Sequence, residues 1–412
     1  MTTPDSPGRC FALVTETYPP QINGVANTLG QLCSGLLARQ HRVQLVRPAL
    51  RDERPGSDSQ CGLLERRVRG MPIPGYASLQ WGLPSGHQLR RLWQSERPDA
   101  VYLATEGPLG WSALRVARRL QIPVISGFHT NFQQYSDHFH LGLLHEPAMR
   151  YLRWFHNQTL STLVASSTQQ RELSRLGVNN LSLLGRGVDC SRFHPAHRSN
   201  DLRSTWGATE NDLVMLHVGR LSPEKNLTLL AEAWEQVSAQ NTSGRKLHLV
   251  IVGDGPSRAE LQRRLPNAVF TGALTGEPLA AAYASADVFV FPSLTETFGN
   301  VVTEAMASGL AVCAFDTAAA HQHIQDRYSG SLAPVAHERV FIENLQWLTE
   351  DREGRRSIRL HARHRACQLD WSSIVERFER YLLQAAGGSL RWHRQYRASS
   401  PNCLMRRLRP AS

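Results

Sequence analysis

Apolar residues fall into short continuous runs separated by stripes at helical spacing, and the alternation repeats along most of the chain. CFALVTE at 10–16 is an apolar run between polar residues, the pattern of a buried strand. The loop TYPPQINGVAN follows. Leu29, Leu32, Cys33, Leu36 and Leu37 then recur at helical spacing and predict a helix over 28–40. HRVQLVRP reads as a second strand. Strand, glycine-containing loop, helix and strand make a βαβ unit, which implies a parallel sheet. The pattern continues through DAVYLAT, WSALRVARRLQ, IPVISGFHT, STLVASS, QQRELSRLG and LSLLGRG.

The periodicity stops at 185–200, GRGVDCSRFHPAHRSN, which is polar and reads as a linker. It restarts with LVMLHVGR and runs through KLHLVIVGDG, AVFTGA, DVFVFPS and LAVCAFD as strands, with helical stripes between them. A terminal helix over 372–386 places Ile374, Phe378, Tyr381 and Leu382, with Trp371 just ahead, on one face. The expected fold is α/β, with two doubly wound domains in series. Ligands in such sheets bind beyond the carboxyl ends of the strands, so the natural site is the cleft between the domains.

Length supports the division, because single cores stop growing near ~250–300 residues, and the chain has 412. Hydrophobic content of 41% and charged content of 20% exclude a disordered chain. No run approaches the ~18 consecutive apolar residues of a membrane-spanning helix. The first residues carry no basic patch followed by an apolar run, so a cytoplasmic location is expected. The seven cysteines are widely spaced without a CxxC, which fits neither a disulfide framework nor a zinc site. Net charge is +11, and six of those charges are Arg391, Arg394, Arg397, Arg406, Arg407 and Arg409, in a tail from Gly387 that holds no acid. Such a balance favours an anionic partner. No nucleic-acid motif is present, so nucleic acid is not expected; an anionic membrane surface is the candidate partner for the tail.

Three segments can carry chemistry. In HVGRLSPEKNL, Arg220 and Lys225 lie in a strand-to-helix loop, where two cations beside free helix N–H groups suit a diphosphate; a solvated loop is the plainer alternative. In LTETFGNVVTEAMASGL, Glu296 precedes a turn, Phe298-Gly299-Asn300 opens a helix, and Glu304 lies in its first turns. Carboxylates accept paired hydrogen bonds from vicinal hydroxyls, although helix starts also favour acids for their dipole alone. His129 ends a predicted strand, where catalytic side chains tend to lie, and Gly24 opens the first helix, where a backbone can approach a phosphate. The spacing of His138, His140, His145 and His156 matches no zinc motif, and no Asp-x-Asp, Walker A, completed GxGxxG or GxSxG occurs.

Taken in order, ETYPPQINGVANT, GFHTNF, RGVDCSRFHP, HVGRLSPEKNL, LVIVGDGP and PSLTETFGNVVTEAMASGLAV resemble the retaining glycosyltransferases of family 4. The resemblance runs over about 10–385. It implies the GT-B architecture: an N-terminal Rossmann-like acceptor domain over 1–187, a nucleotide-sugar domain over 200–370, and a helix at 371–386 crossing back to the first. The basic tail at 387–412 lies outside the pattern. The resemblance further implies that Glu296 binds the donor sugar, and that Phe298, Gly299 and Asn300 offer backbone N–H groups to sugar and phosphate. Glu304 would hold the ribose, Arg220 and Lys225 the diphosphate, and Gly24 would approach the phosphates from the other domain. His129 would lie near the reacting carbon. The implied donor is GDP-mannose or a UDP-sugar, with no metal or other cofactor. The implied acceptor is a membrane lipid; a soluble enzyme with a sugar or polysaccharide acceptor, or a non-catalytic nucleotide-sugar-binding protein, are the alternatives. Aromatic and basic residues at 130–160 offer a second surface for a membrane, or else a helix packed in the N-terminal core.

Overall fold

The computed structural model describes residues 8–21, 23–73, 76–129, 145–294, 296 and 298–388. The arginines of the tail and residues 130–144 of the aromatic segment, including Phe132, Tyr135 and Phe139, lie outside these residues; in the rest of that segment Leu152 and Phe155 are buried and Trp154 is exposed.

The N-terminal half builds an eight-stranded sheet from β1 (Cys10–Val14), β2 (Arg42–Pro48), β3 (Gly56–Gln60), β4 (Leu63–Val68), β7 (Ala100–Leu103), β8 (Val124–Phe128), β9 (Thr162–Val164) and β10 (Leu181–Leu183). A separate hairpin pairs β5 (Gly70–Ile73) with β6 (Tyr76–Gly82). The sheet order is β10-β9-β8-β7-β1-β2-β4-β3, parallel throughout except for β3, which runs antiparallel to β4. Its helices are α1 (Gly24–Ala38), α2 (Gly86–Ser95), α3 (Pro108–Arg119), α4 (His145–Asn157) and α5 (Ser167–Arg175).

The second sheet is all parallel, in the order β13-β12-β11-β14-β15-β16. Its strands are β11 (Leu213–Val218), β12 (Leu247–Val252), β13 (Val269–Gly272), β14 (Val288–Phe291), β15 (Ala311–Phe315) and β16 (Ser331–Ala333). Around it lie α6 (Asn200–Thr205), α7 (Leu227–Ala239), α8 (Arg258–Arg264), α9 (Gly276–Ser285), α10 (Asn300–Ala307), α11 (Ala318–His323), α12 (Glu338–Glu350) and α13 (Arg352–Cys367). The last helix is α14 (Trp371–Gly387). Each parallel sheet is covered on both faces, which is why its strands read as continuous apolar runs. The two-domain α/β expectation holds.

Two differences from the sequence reading have local causes. Helix α1 begins four residues early, because the Asn23 side chain caps it, accepting from the Ala26 N–H at 2.8 Å. Strand β3, GSDSQ, and helix α2, with only Leu89 and Trp93 buried, carry too few apolar positions to register as periodic.

The chain passes between the halves twice, side by side. Val188 N–H donates to Leu369 O at 2.8 Å, and Val188 bridges Asp370. Helix α14 then packs on the N-terminal core, where Trp371, Ile374, Phe378 and Leu382 join Phe11 and Leu13 of β1 and Leu29 and Leu36 of α1. The apolar face seen in the sequence is the buried one. No described helix is long and apolar enough to cross a membrane.

Candidate active site

Beyond the carboxyl ends of the two sheets the N-terminal half brings Gly24 and His129 together, through Arg186, and the C-terminal half Lys225, Glu296, Asn300 and Glu304; Gly24 and Asn300 meet across the cleft between them. On the C-terminal side, Gly299 caps α10 with φ +87°, a left-handed conformation that glycine adopts without strain. That turn buries the Phe298 ring in the core, and the Phe298 carbonyl accepts from Ala319 N–H at 2.7 Å. Asn300 is the first residue of α10, and Glu304 follows one turn on.

Lys225 lies on a single 3-10 turn, Pro223–Lys225, after β11. Its Nζ forms an ion pair with Glu296 Oε1, and both side chains are about six-sevenths buried, at 15% and 13% exposure. The proposed diphosphate cation and the proposed sugar carboxylate therefore hold each other. Arg220 stands exposed just beyond β11.

From the N-terminal side, Gly24 meets Asn300. A Cβ at Gly24 would sit 3.4 Å from Asn300 Nδ2, so the two domains touch here. Between Asn27, Gln31, Arg192, Asn300 and Glu304 the cleft narrows to about 20 Å3, room for one water.

His129 follows β8. Its Nε2 lies 2.7 Å from the Tyr102 hydroxyl and its Nδ1 3.1 Å from Arg186 Nη2. A guanidinium only donates, so Nδ1 accepts, and Nε2 carries the proton and donates to Tyr102. Burial first, and then the Arg186 charge, hold His129 neutral, with its pKa well below the usual value. Both ring nitrogens are thus engaged within the protein. His129 can present a ring nitrogen to a ligand only by giving up one of these bonds.

Three residues of the site escaped the sequence reading. Tyr283 of α9 is fully buried and donates its hydroxyl to Glu304 Oε2 at 3.1 Å. Tyr102 of β7 and Arg186, in the first crossing, hold His129. Arg186 lay in a stretch read as linker, and the only signal in the sequence is a cation inside the RGVD motif. His156, considered for a metal group, bonds Ser126 at 2.9 Å and Glu106 at 3.1 Å in the core; among the described residues no cluster could hold a metal ion.

Burial raises the Glu304 carboxyl to about 7, against the opposing pull of the Tyr283 hydrogen bond and the Arg192 charge. If Glu304 holds the ribose, as the family resemblance implies, both of its oxygens can accept from the two hydroxyls in the ionised form alone. Below pH 7 binding must first remove a proton, so nucleotide affinity is expected to rise about tenfold per pH unit up to pH 7 and then level off. Without ligand the sign reverses: the folded state holds this proton more tightly than the unfolded chain does. That contribution to stability is therefore full below about pH 4.5 and lost as pH rises to about 7. Glu304→Gln should flatten the affinity profile in titration calorimetry between pH 5.5 and 8; an unchanged slope rules Glu304 out as its source.

Known proteins resemble this chain along most of its length. Residues 22–192 match the model described as Glycosyltransferase Family 4, and residues 212–351 that of Glycosyl transferases group 1. A GDP-mannose-dependent alpha-mannosyltransferase of Corynebacterium glutamicum is 37% identical over 300 residues, 73% of this chain and 70% of that protein. The alpha-monoglucosyldiacylglycerol synthase of Streptococcus pneumoniae is 27% identical, over 80% of this chain and 76% of that one. The structure of sucrose-phosphate synthase from Thermosynechococcus elongatus superposes with a TM-score of 0.71 at 19% identity, covering 95% of this chain and all of that one, which speaks for the fold alone. With both domain models matched in order over a two-sheet GT-B fold, this chain belongs to the family 4 retaining glycosyltransferases.

Proposed function

We propose that this enzyme moves a mannose- or glucose-type hexose from a nucleotide-diphospho sugar to a hydroxyl of a membrane lipid. The observation that carries the reading is the buried Lys225–Glu296 pair beside the Gly299 turn that opens α10, whose first residue, Asn300, meets Gly24 across the cleft. The names of two relatives, one using GDP-mannose and one forming a glucosyl diacylglycerol, support the donor and acceptor classes.

The chemistry follows from where charge develops. The bond from C1 to the diphosphate oxygen breaks towards an oxocarbenium ion, and negative charge grows on the leaving phosphate. Arg220, Lys225 and the N–H groups at the start of α10 stabilise that charge. Glu296, once released by Lys225, accepts hydrogen bonds from the sugar hydroxyls, and Glu304 accepts from the ribose. The acceptor oxygen bonds C1 on the face the diphosphate leaves, and its proton passes to the departing phosphate oxygen. Configuration is retained.

The test is a panel of GDP- and UDP-hexoses, each with diacylglycerol and with free-sugar acceptors, run with excess chelator. Lipid product from one donor, unchanged by chelator, is expected. Product on free sugars only would overturn the acceptor assignment, and activity restored only by divalent metal would overturn metal independence.

A surface outside the cleft supports membrane work. A groove of about 610 Å3 between α2 and α3 is lined by His87, Arg90, Trp111, Arg115 and Arg119. Among the described residues none of these cations has an acidic partner; Arg115 stacks over Trp111 at 4.7 Å. Trp81 and Leu83, both exposed, precede Pro84 at the rim. Each Arg near an anionic bilayer contributes about 1 kcal/mol, weakened by salt. The double variant Arg90→Glu/Arg115→Glu should pellet with phosphatidylglycerol vesicles at least about tenfold less at low salt, with nucleotide affinity unchanged. Undiminished pelleting would shift the contact to the tail beyond Gly387.

A further inference from the structure

Among the described residues Arg186 is a cation without a counter-charge, at the wall of the cleft. Its side chain is 4% exposed. Nη1 donates to the Gly24 carbonyl at 3.2 Å and to the Thr28 hydroxyl, and Nη2 donates to His129 Nδ1 at 3.1 Å. All three acceptors are neutral. The carboxylates of the neighbourhood are engaged elsewhere: Glu106 with His156, Glu16 with the Leu109 N–H, Glu296 with Lys225 and Glu304 with Tyr283. Among the described residues no carboxylate pairs with Arg186.

A buried charge left uncompensated is strongly destabilising, so a fold keeps one where something else supplies the opposite sign. Burial lowers the Arg186 pKa to about 10, which still leaves it charged at neutral pH. A guanidinium has five N–H donors in a planar fork. Three are used, and Nε–H and one Nη2–H have no partner among the described residues. The fork geometry matches the oxygens of a phosphoryl group better than an ammonium would. The position matches too, because Gly24, whose carbonyl Arg186 holds, is the backbone that meets Asn300 across the cleft.

We infer that Arg186 binds a phosphoryl group in the cleft, from the wall opposite Arg220 and Lys225. The inference rests on the nucleotide-sugar reading given above. The phosphoryl group is either the donor's diphosphate or a phosphate carried by the acceptor's headgroup. In the first case its negative charge grows as the C1–O bond breaks, and Arg186 acts on turnover as well as on binding. By bonding His129 Nδ1, Arg186 also keeps that ring in one tautomer and orientation.

The test uses full-length Arg186→Met and Arg186→Lys. Titration calorimetry compares the nucleoside, its monophosphate and its diphosphate, and then glycerol 3-phosphate added to the diphosphate complex. In the wild type the diphosphate should bind more tightly than the monophosphate. Arg186→Met should cut that gain about ten- to a hundredfold, the range for a lost hydrogen bond to a charged group, while the nucleoside binds as before and so reports an intact fold. Loss of glycerol 3-phosphate binding instead assigns the phosphate to the acceptor. If the Met variant does not fold, Arg186→Lys decides, with at least a threefold loss expected in one of the two arms. Unchanged binding in both arms overturns the inference alone. A wild type that binds no nucleoside diphosphate overturns the donor reading and this inference with it.

Discussion

Replacing Glu296 by alanine is expected to lower kcat by about 10²–10³, the usual effect of removing one preorganised group from a charge-stabilising site. Affinity for the free nucleoside diphosphate should hold or rise. Glu296 is paired with Lys225, so removing the carboxylate frees the ammonium for the phosphates. Glu304→Ala should behave in the opposite way. Its carboxyl lies one turn into α10, beside Tyr283, and in the proposed reading it holds the ribose, away from the reacting carbon. Loss of one charged hydrogen-bond acceptor there should weaken nucleotide binding by about ten- to a hundredfold, with kcat at saturation less affected. Calorimetry with the free diphosphate and turnover at saturating donor separate the two. Equal losses of affinity in both variants would refute the division of roles.

Phe378→Ala is expected to destabilise the protein by about 3–5 kcal/mol, the range for emptying a fully buried aromatic site. Phe378 is 0% exposed, although it belongs to a helix that follows the whole C-terminal domain in sequence. Its ring stands edge-on to Tyr102, with centroids 4.9 Å apart. Tyr102 in turn bonds His129, and His129 bonds Arg186. The cavity would therefore open directly behind the site, and turnover should fall along with the denaturation midpoint. Urea titration measures the stability. A loss below about 1 kcal/mol would mean that the helix is dispensable to the N-terminal core, against the packing seen.

Much of this protein was legible in its sequence because the relevant physics is local. Strands buried on both faces are apolar at nearly every position, so β1, β11, β12 and β14 stand out as runs without any knowledge of their partners. The face of α14 repeats at helical spacing, and it is the face that is buried. Glu296, Gly299 and Glu304 could be singled out together because one turn and one helix start carry all three.

Tertiary structure alone decided the rest. Strand β3 is polar and exposed, and it exists because β4 offers it an antiparallel edge. Lys225 and Glu296 are 71 residues apart, and no local period relates them. Arg186 reaches Gly24 across 162 residues, from a segment whose composition reads as linker. Tyr283 faces Glu304 because α9 and α10 flank neighbouring strands, which a helical stripe cannot report. Periodicity records which side of an element is buried. Which charge meets which, and which one is left without a partner, depends on the chain folding back on itself, and that is where the chemistry of this cleft is set.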